Sequence, residues 1–227
     1  LVAVHFNDLV ESVEANLVAL ETAPVACELI DKILLDQTID SIEHAPSRRF
    51  LDGDPAALLV VEYFAQSEAE LGRKMDELEA RLGEREMGYA YVRAIEPGAQ
   101  KAIWELRKAG LGLLMGMKGD PKPNPGVEDT CVPVEHLPAY VRGVVELMDE
   151  LGLEAEYYGH ASVGLLHIRP IFNLKDPEGI ELLRHIEERM SDMVLQYGGA
   201  MTGEHGDGLA RSEWIEKMFG PELVAAF

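Results

Sequence analysis

Leu58-Leu59-Val60-Val61-Glu62-Tyr63-Phe64 leads through Ser67 into Leu71, Met75, Leu78 and Leu82, and then into Met87-Gly88-Tyr89-Ala90-Tyr91-Val92. The first run is rich in Val and Leu, as a strand requires. Ser67 is an N-cap residue, and the four apolar positions that follow are spaced four, three and four apart, which is one face of a helix. The third run reads as a strand again. The same order stands upstream. Val2, Val4 and Phe6 alternate, Asp8 caps a helix carrying Leu9, Val13, Leu17 and Leu20, Pro24 ends it, and Val25 to Ile30 is a second strand. Two βαβ halves in residues 1–92 predict an α+β fold: a ferredoxin-like βαββαβ antiparallel sheet with helices on one face, plus additional helices and strands. Between the halves, Asp36 to Pro55 reads as a polar loop with one helical turn.

The second half of the chain is less regular. Gly98 to Lys108 predicts a helix, and the Gly/Pro-rich run from Gly110 to Gly126 predicts a long loop. Val127 to Val132 reads as a strand, Pro133 opens a helix to Leu151, and Glu154–Tyr158 and Val163–Arg169 read as paired strands. Asp176 followed by Pro177 starts a helix with Ile180, Leu183, Ile186, Met190 and Val194, which Gly198-Gly199 stops. A further helix begins at Ser212.

Chemistry concentrates in two glycine-flanked clusters. Gly159-His160-Ala161-Ser162-Val163-Gly164-Leu165-Leu166-His167 carries two histidines seven apart, and Gly203-Glu204-His205-Gly206-Asp207-Gly208 carries a carboxylate beside a third. A straight strand would put His160 and His167 on opposite faces, so they converge only if the chain turns at the glycines. The set of His160, His167, Glu204 and His205 offers neutral nitrogens, a carboxylate and a spare base. It suits a borderline divalent metal such as zinc with a position left open. The residues alone do not say which histidine is the base, and each histidine taken singly is more often a hydrogen-bonded core residue.

Bulk properties narrow the class. The chain has 227 residues and a net charge of −21, which disfavours nucleic-acid backbones and anionic membrane surfaces as partners. Acidic residues are interleaved with basic ones along helices such as Glu68 to Glu86, as on a solvated face. No apolar run approaches membrane-spanning length. Two distant cysteines, Cys27 and Cys131, form no cluster signature, which fits a reduced cytoplasmic compartment and places any iron–sulfur centre outside this segment. Leu1 opens directly on a strand-like run and Pro221 to Phe227 reads as a helix cut short, so the expectation is a piece of a longer polypeptide.

The two clusters together resemble the signatures of the C-terminal, substrate-side domain of FAD-linked oxidases, the D-lactate, glycolate and D-2-hydroxyglutarate dehydrogenase group. Gly159 to Gly164 with Leu166-His167-Ile168-Arg169-Pro170 is similar to the first signature. Gly203 to Ser212, followed by Lys217-Met218-Phe219-Gly220-Pro221, is similar to the second. Val127-Glu128-Asp129-Thr130-Cys131-Val132-Pro133 also fits, and Leu106-Arg107-Lys108-Ala109-Gly110-Leu111-Gly112 resembles the branch fused to an iron–sulfur module. The resemblance covers almost all of residues 1–227, read as one domain. It implies FAD held mainly by a separate domain of the same polypeptide, because no Gly-rich pyrophosphate loop is present, so this segment alone is expected to be colourless and inactive. It implies His160, His167 and Glu204 as metal ligands, His205 as general base, Arg107 as carboxylate clamp with Arg169 as a second candidate, and Glu128 and Asp129 beside the flavin. For Arg107 a helix C-terminal role is nearly as well supported. Lys118 and Lys122 read as surface lysines, and Trp104 and Trp214 as core or interface aromatics. The implied partner is a small 2-hydroxy acid, and the parent protein is compatible with peripheral membrane association. The competing readings are the same scaffold acting on another alcohol without a catalytic metal, and a non-catalytic ferredoxin-like ligand-binding module.

Overall fold

A computed structural model describes residues 1–226, which divide into two compact units: residues 1–117 with 158–162, and residues 118–157 with 163–226. In the first unit the order is β1 (Val2–Phe6), α1 (Leu9–Leu20), β2 (Ala26–Asp31), α2 (Lys32–Gln37), β3 (Ala57–Glu62), α3 (Glu68–Glu84), β4 (Ala90–Arg93) and α4 (Pro97–Met115). The strands run β4-β1-β3-β2, all antiparallel, which is the ferredoxin-like arrangement expected from the two βαβ halves. Val4 pairs with Leu59 and Leu29 with Leu59, fixing the register across the sheet. Tyr158 and Gly159 extend it by pairing with Ile30 and Leu29 on the free edge of β2.

Strand alternation sorts the core. Ala3, Ile30, Leu58 and Val60 pack with Leu34 and Leu35 of α2 and Ile103, Leu106 and Leu114 of α4. The alternate residues Val4, Phe6, Leu29, Leu59 and Val61 are fully buried on the other face, where α1 and α3 meet each other. Thus α1 and α3 share one face as expected, and the additional helices cover the second. Asp8 caps α1 by accepting from the Glu11 amide at 2.8 Å, and Ser67 caps α3 by accepting from the Glu70 amide at 3.2 Å.

Helix α4 runs seven residues beyond Lys108, through the start of the expected Gly110–Gly126 loop. Packing explains the error: a Cβ on Gly110 would lie 2.4 Å from Leu34 Cδ1, so this glycine is where α4 approaches α2 closely. Propensity argues against a helix there, and burial of Leu114 outweighs it. The expected Asp36–Pro55 loop contains the end of α2 and a 3₁₀ helix over Ala45–Phe50.

In the second unit β5 (Lys122–Pro123), α5 (Leu137–Leu151), β6 (Ala155–Gly159, whose last two residues belong to the first unit), β7 (His167–Phe172), α6 (Pro177–Gln196), α7 (Gly208–Arg211), α8 (Ile215–Phe219) and α9 (Pro221–Val224) follow one another. β5 pairs antiparallel with β7. Tyr140, Val141, Val144 and Leu147 of α5 and Ile186, Met190 and Val194 of α6 supply the buried apolar surface. Fully buried Tyr140 donates its hydroxyl to Thr130 Oγ1 at 2.7 Å.

Two strand expectations fail here. Val127–Val132 forms no strand; Asp129 bridges Thr202, and Cys131 bridges Leu165 and Ala200, so consecutive bridges go to different partners. Val163–Arg169 does not begin a strand until His167, because a 3₁₀ turn over Ala161–Val163 and Gly164 at φ +73° turn the chain first. A Cβ on Gly164 would sit 2.0 Å from the Val132 carbonyl oxygen, so only glycine permits that approach.

Candidate active site

The second unit gathers the side chains of Asp129, His167, Glu204 and His205. One ligand atom from each lies within 4.8 Å of the others. Asp129 organises the group. Its side chain is fully buried, and Oδ2 accepts from the Thr202 hydroxyl at 2.5 Å and from the successive amides of Gly203, Glu204 and His205 at 3.0, 3.1 and 2.7 Å. Burial opposes its ionisation, but these hydrogen bonds and the neighbouring His205 outweigh burial and hold its carboxyl below the usual range. The loop carrying Glu204 and His205 is thereby folded around a carboxylate, as anions are held by consecutive backbone amides.

The two imidazoles stack in parallel, with ring centres 5.1 Å apart and planes 3° apart. His167 is buried on β7, and its Nδ1 lies 3.0 Å from the Glu128 carbonyl oxygen, an acceptor, so Nδ1 carries the hydrogen. Burial lowers the His167 pKa despite that hydrogen bond and the nearby carboxylates, which favours the neutral ring. Its Nε2 then faces Glu204 Oε1 at 3.3 Å. His205 is the more exposed ring. Its Nδ1 lies 2.7 Å from Glu128 Oε1 and its Nε2 3.3 Å from the same Glu204 oxygen.

This donor set fits a divalent metal. Two ligands held tetrahedrally about 2.0–2.1 Å from zinc lie roughly 3.3 Å from each other, which matches both histidine–Glu204 separations. Asp129 Oδ1 is buried and, among the described residues, has no hydrogen-bond partner; His205 Nδ1, at 3.8 Å, is beyond hydrogen-bond reach.

His160 lies in the first unit, where its Nδ1 is 2.6 Å from Glu28 Oε1. Arg107 of α4 donates to Glu28 Oε2 from Nε at 3.1 Å and contacts it through its Nη2 at 3.0 Å, with its guanidinium over the Tyr158 ring. Arg169, the second clamp candidate, donates to Glu128 Oε2. Each candidate clamp is therefore already engaged with a buried glutamate. Trp104 packs partly buried against the first unit's core, and Trp214 is buried with its Nε1 donating to Glu187 at 3.0 Å.

Glu28 escaped sequence reasoning; the available signal was an acid in the interior of an otherwise apolar strand, Ala26-Cys27-Glu28-Leu29-Ile30. Asp129 was singled out as a flavin neighbour, but its place at the hub of the histidine loop was not foreseen. Nothing in the spacing of residues 129 and 203–205 reveals that contact.

The sequence model of the family described as FAD linked oxidases, C-terminal domain, matches residues 1–227. The chain belongs to this family. It is 34% identical over 91% of its length to the D-2-hydroxyglutarate dehydrogenase of Escherichia coli, and 33% identical over 93% to that of Haemophilus influenzae, in each case covering 21% of the relative. It is 23% identical over its whole length to the glycolate oxidase subunit GlcD of Bacillus subtilis, covering 46% of that protein. The chain thus spans about a fifth of the length of the dehydrogenases most similar to it among these. In fold it is similar to alkyldihydroxyacetonephosphate synthase, with a TM-score of 0.51 and 13% identity over 95% of this chain and 40% of that one. No described helix of this family member is long and apolar enough to cross a membrane.

Proposed function

We propose that this chain is the substrate-side domain of a flavoprotein that oxidises a D-2-hydroxy acid of the glutarate, lactate or glycolate class. The observation that carries the reading is the stacked His167–His205 pair, with both Nε2 atoms turned to Glu204. The similarity to D-2-hydroxyglutarate dehydrogenases and to a glycolate oxidase subunit gives the substrate class. A flavin, bound mainly outside this segment, supplies the hydride acceptor. A divalent metal, zinc being the natural choice for this donor set, would supply Lewis-acid activation of the substrate hydroxyl when bound.

The chain's own residues do the rest. His167 and Glu204 would hold the metal, with His160 added on the family resemblance, and Asp129 fixes the loop that presents Glu204. His205 takes the hydroxyl proton at Nε2, its Nδ1–H being donated to Glu128. Arg107 is the candidate for the substrate carboxylate, with Glu28 fixing its orientation. The resemblance of residues 106–112 extends the proposal to a parent protein that also carries an iron–sulfur module.

The test uses the full-length flavoprotein under anaerobic conditions. D-2-hydroxyglutarate, D-lactate and glycolate are each mixed with it and flavin absorbance is followed, with metal content measured on the same sample. Reduction by at least one acid, lost on chelation and restored by zinc, is the expected result. Failure of all three, or reduction that chelation leaves untouched in a metal-free sample, rejects the corresponding half of the proposal.

A further inference from the structure

Glu128 touches both stacked imidazoles: its backbone carbonyl accepts from His167 Nδ1 at 3.0 Å, and its carboxylate Oε1 lies 2.7 Å from His205 Nδ1. Its other oxygen, Oε2, accepts from Arg169. The Glu128 and Arg169 side chains are only 10% and 7% exposed. We infer that Arg169, Glu128 and His205 form a relay in which Glu128 is the positioning residue for the base and Arg169 anchors Glu128. The inference rests on the assignment of His205 as base.

The chemistry follows from donor and acceptor inventories. An ionised carboxylate only accepts, so Glu128 requires the hydrogen of His205 on Nδ1 and leaves the Nε2 lone pair open toward the reacting hydroxyl. Arg169 donates to the other carboxylate oxygen of Glu128 and so fixes the orientation of Oε1 toward Nδ1. Arg169 is then occupied in setting the tautomer and not in gripping substrate. The first unit builds the same triple from different elements: Glu28 lies between Arg107 and the Nδ1 of His160.

The experiment is single-turnover flavin reduction by a 2-hydroxy acid in the full-length enzyme, with the substrate dissociation constant taken from the concentration dependence. Glu128→Gln presents an amide that can donate to Nδ1. It is expected to lower the reduction rate about 10- to 100-fold, a typical loss for a group orienting a site histidine, with metal content, flavin content and substrate dissociation constant unchanged. Glu128→Asp, which keeps the charge, should recover part of the rate and remains interpretable if the Gln variant folds poorly. Arg169→Met should reproduce the Gln phenotype, and the double variant should be no slower than either single one, because the three groups act as a unit. A weakened substrate dissociation constant with an intact reduction rate in Arg169→Met would make Arg169 a substrate ligand and overturn the relay. Wild-type reduction in Glu128→Gln, while His205→Ala is slow, would overturn it too and leave the base assignment standing. Normal reduction in His205→Ala would remove the base assignment itself.

Discussion

Glu28 in the first unit and Glu128 in the second are each shared between an arginine and a histidine Nδ1, yet their settings differ. Glu28 sits on β2, one residue before a ladder pair that joins Leu29 to Gly159, and Arg107 comes from the long helix α4. Regular hydrogen bonding fixes both positions before any side chain is considered. Glu128 precedes isolated bridges, and the loop bearing His205 is held by side-chain-to-backbone bonds to Asp129. In exposure the two triples match: Glu28, Arg107 and His160 keep 9%, 13% and 38%, and Glu128, Arg169 and His205 keep 10%, 7% and 43%. The contrast teaches that the first relay is secured by secondary structure, while the second is secured by a buried carboxylate and by glycines that let backbones touch. The second triple differs in having the part-exposed Glu204 beside its histidine.

The largest effect that sharpens this contrast is expected at His205. In the full-length flavoprotein, His205→Ala should slow flavin reduction about 10²–10⁴-fold, the typical range for a general base, and leave metal and flavin content intact. His167→Ala should lose metal along with activity, because a ligand is removed. Equal metal loss in both variants would make His205 a ligand.

Next come the glycines. Gly164→Ala places a Cβ 2.0 Å from a backbone oxygen at φ +73°, and neither can yield, so a loss of about 3 kcal/mol or more is expected in denaturant melts. Gly110→Ala meets the end of a leucine side chain at 2.4 Å inside a helix. Overpacking costs roughly 1–3 kcal/mol, and the helix propensity of alanine returns about 1 kcal/mol, so the net loss should be about 0–2 kcal/mol. An equal cost at the two positions would break the distinction between backbone-limited and side-chain-limited packing.

Glu28→Gln removes the charge between Arg107 and His160 and leaves a nearly buried guanidinium without its carboxylate. A destabilisation of about 1–3 kcal/mol is expected, as for other charged hydrogen bonds. A variant as stable as the parent would mean that the register of β2 and α4 suffices without the relay.

The smallest effect is a pH dependence in the first unit. His5 is fully buried, with Nδ1 against the Ala3 carbonyl and Nε2 accepting from the Asp52 amide, and burial lowers its pKa in spite of its hydrogen bonds. The unfolded chain therefore binds a proton more readily than the folded one. Stability from this residue is complete above its ordinary value of 6.5 and is lost as pH falls through the lower folded value. Thermal melts from pH 7 downward should show a shallower decline in His5→Gln than in the parent. Parallel slopes would show that His5 binds protons equally in the folded and unfolded chains, with no depressed folded-state pKa.

What could be read from the sequence was what depends on neighbours along the chain. The two βαβ halves, the caps at Asp8 and Ser67 and the α6 stripe follow from local spacing, and the sheet order β4-β1-β3-β2 follows from them. The family resemblance and the candidate residues His160, His167, Glu204 and His205 were legible for the same reason, each lying in a short run. Tertiary structure alone decided the rest. It carried α4 through Gly110, because contact with Leu34 outweighs the local preference for a loop. It replaced the expected Val127–Val132 strand with bridges to three separate partners. It also bound Asp129 to residues 202–205 and Glu128 to both imidazoles, contacts across more than seventy residues for the loop and about forty for His167. A sequence shows which side chains are available, but donor and acceptor pairs at that separation form only once the backbone has closed, so the histidine tautomers were settled there.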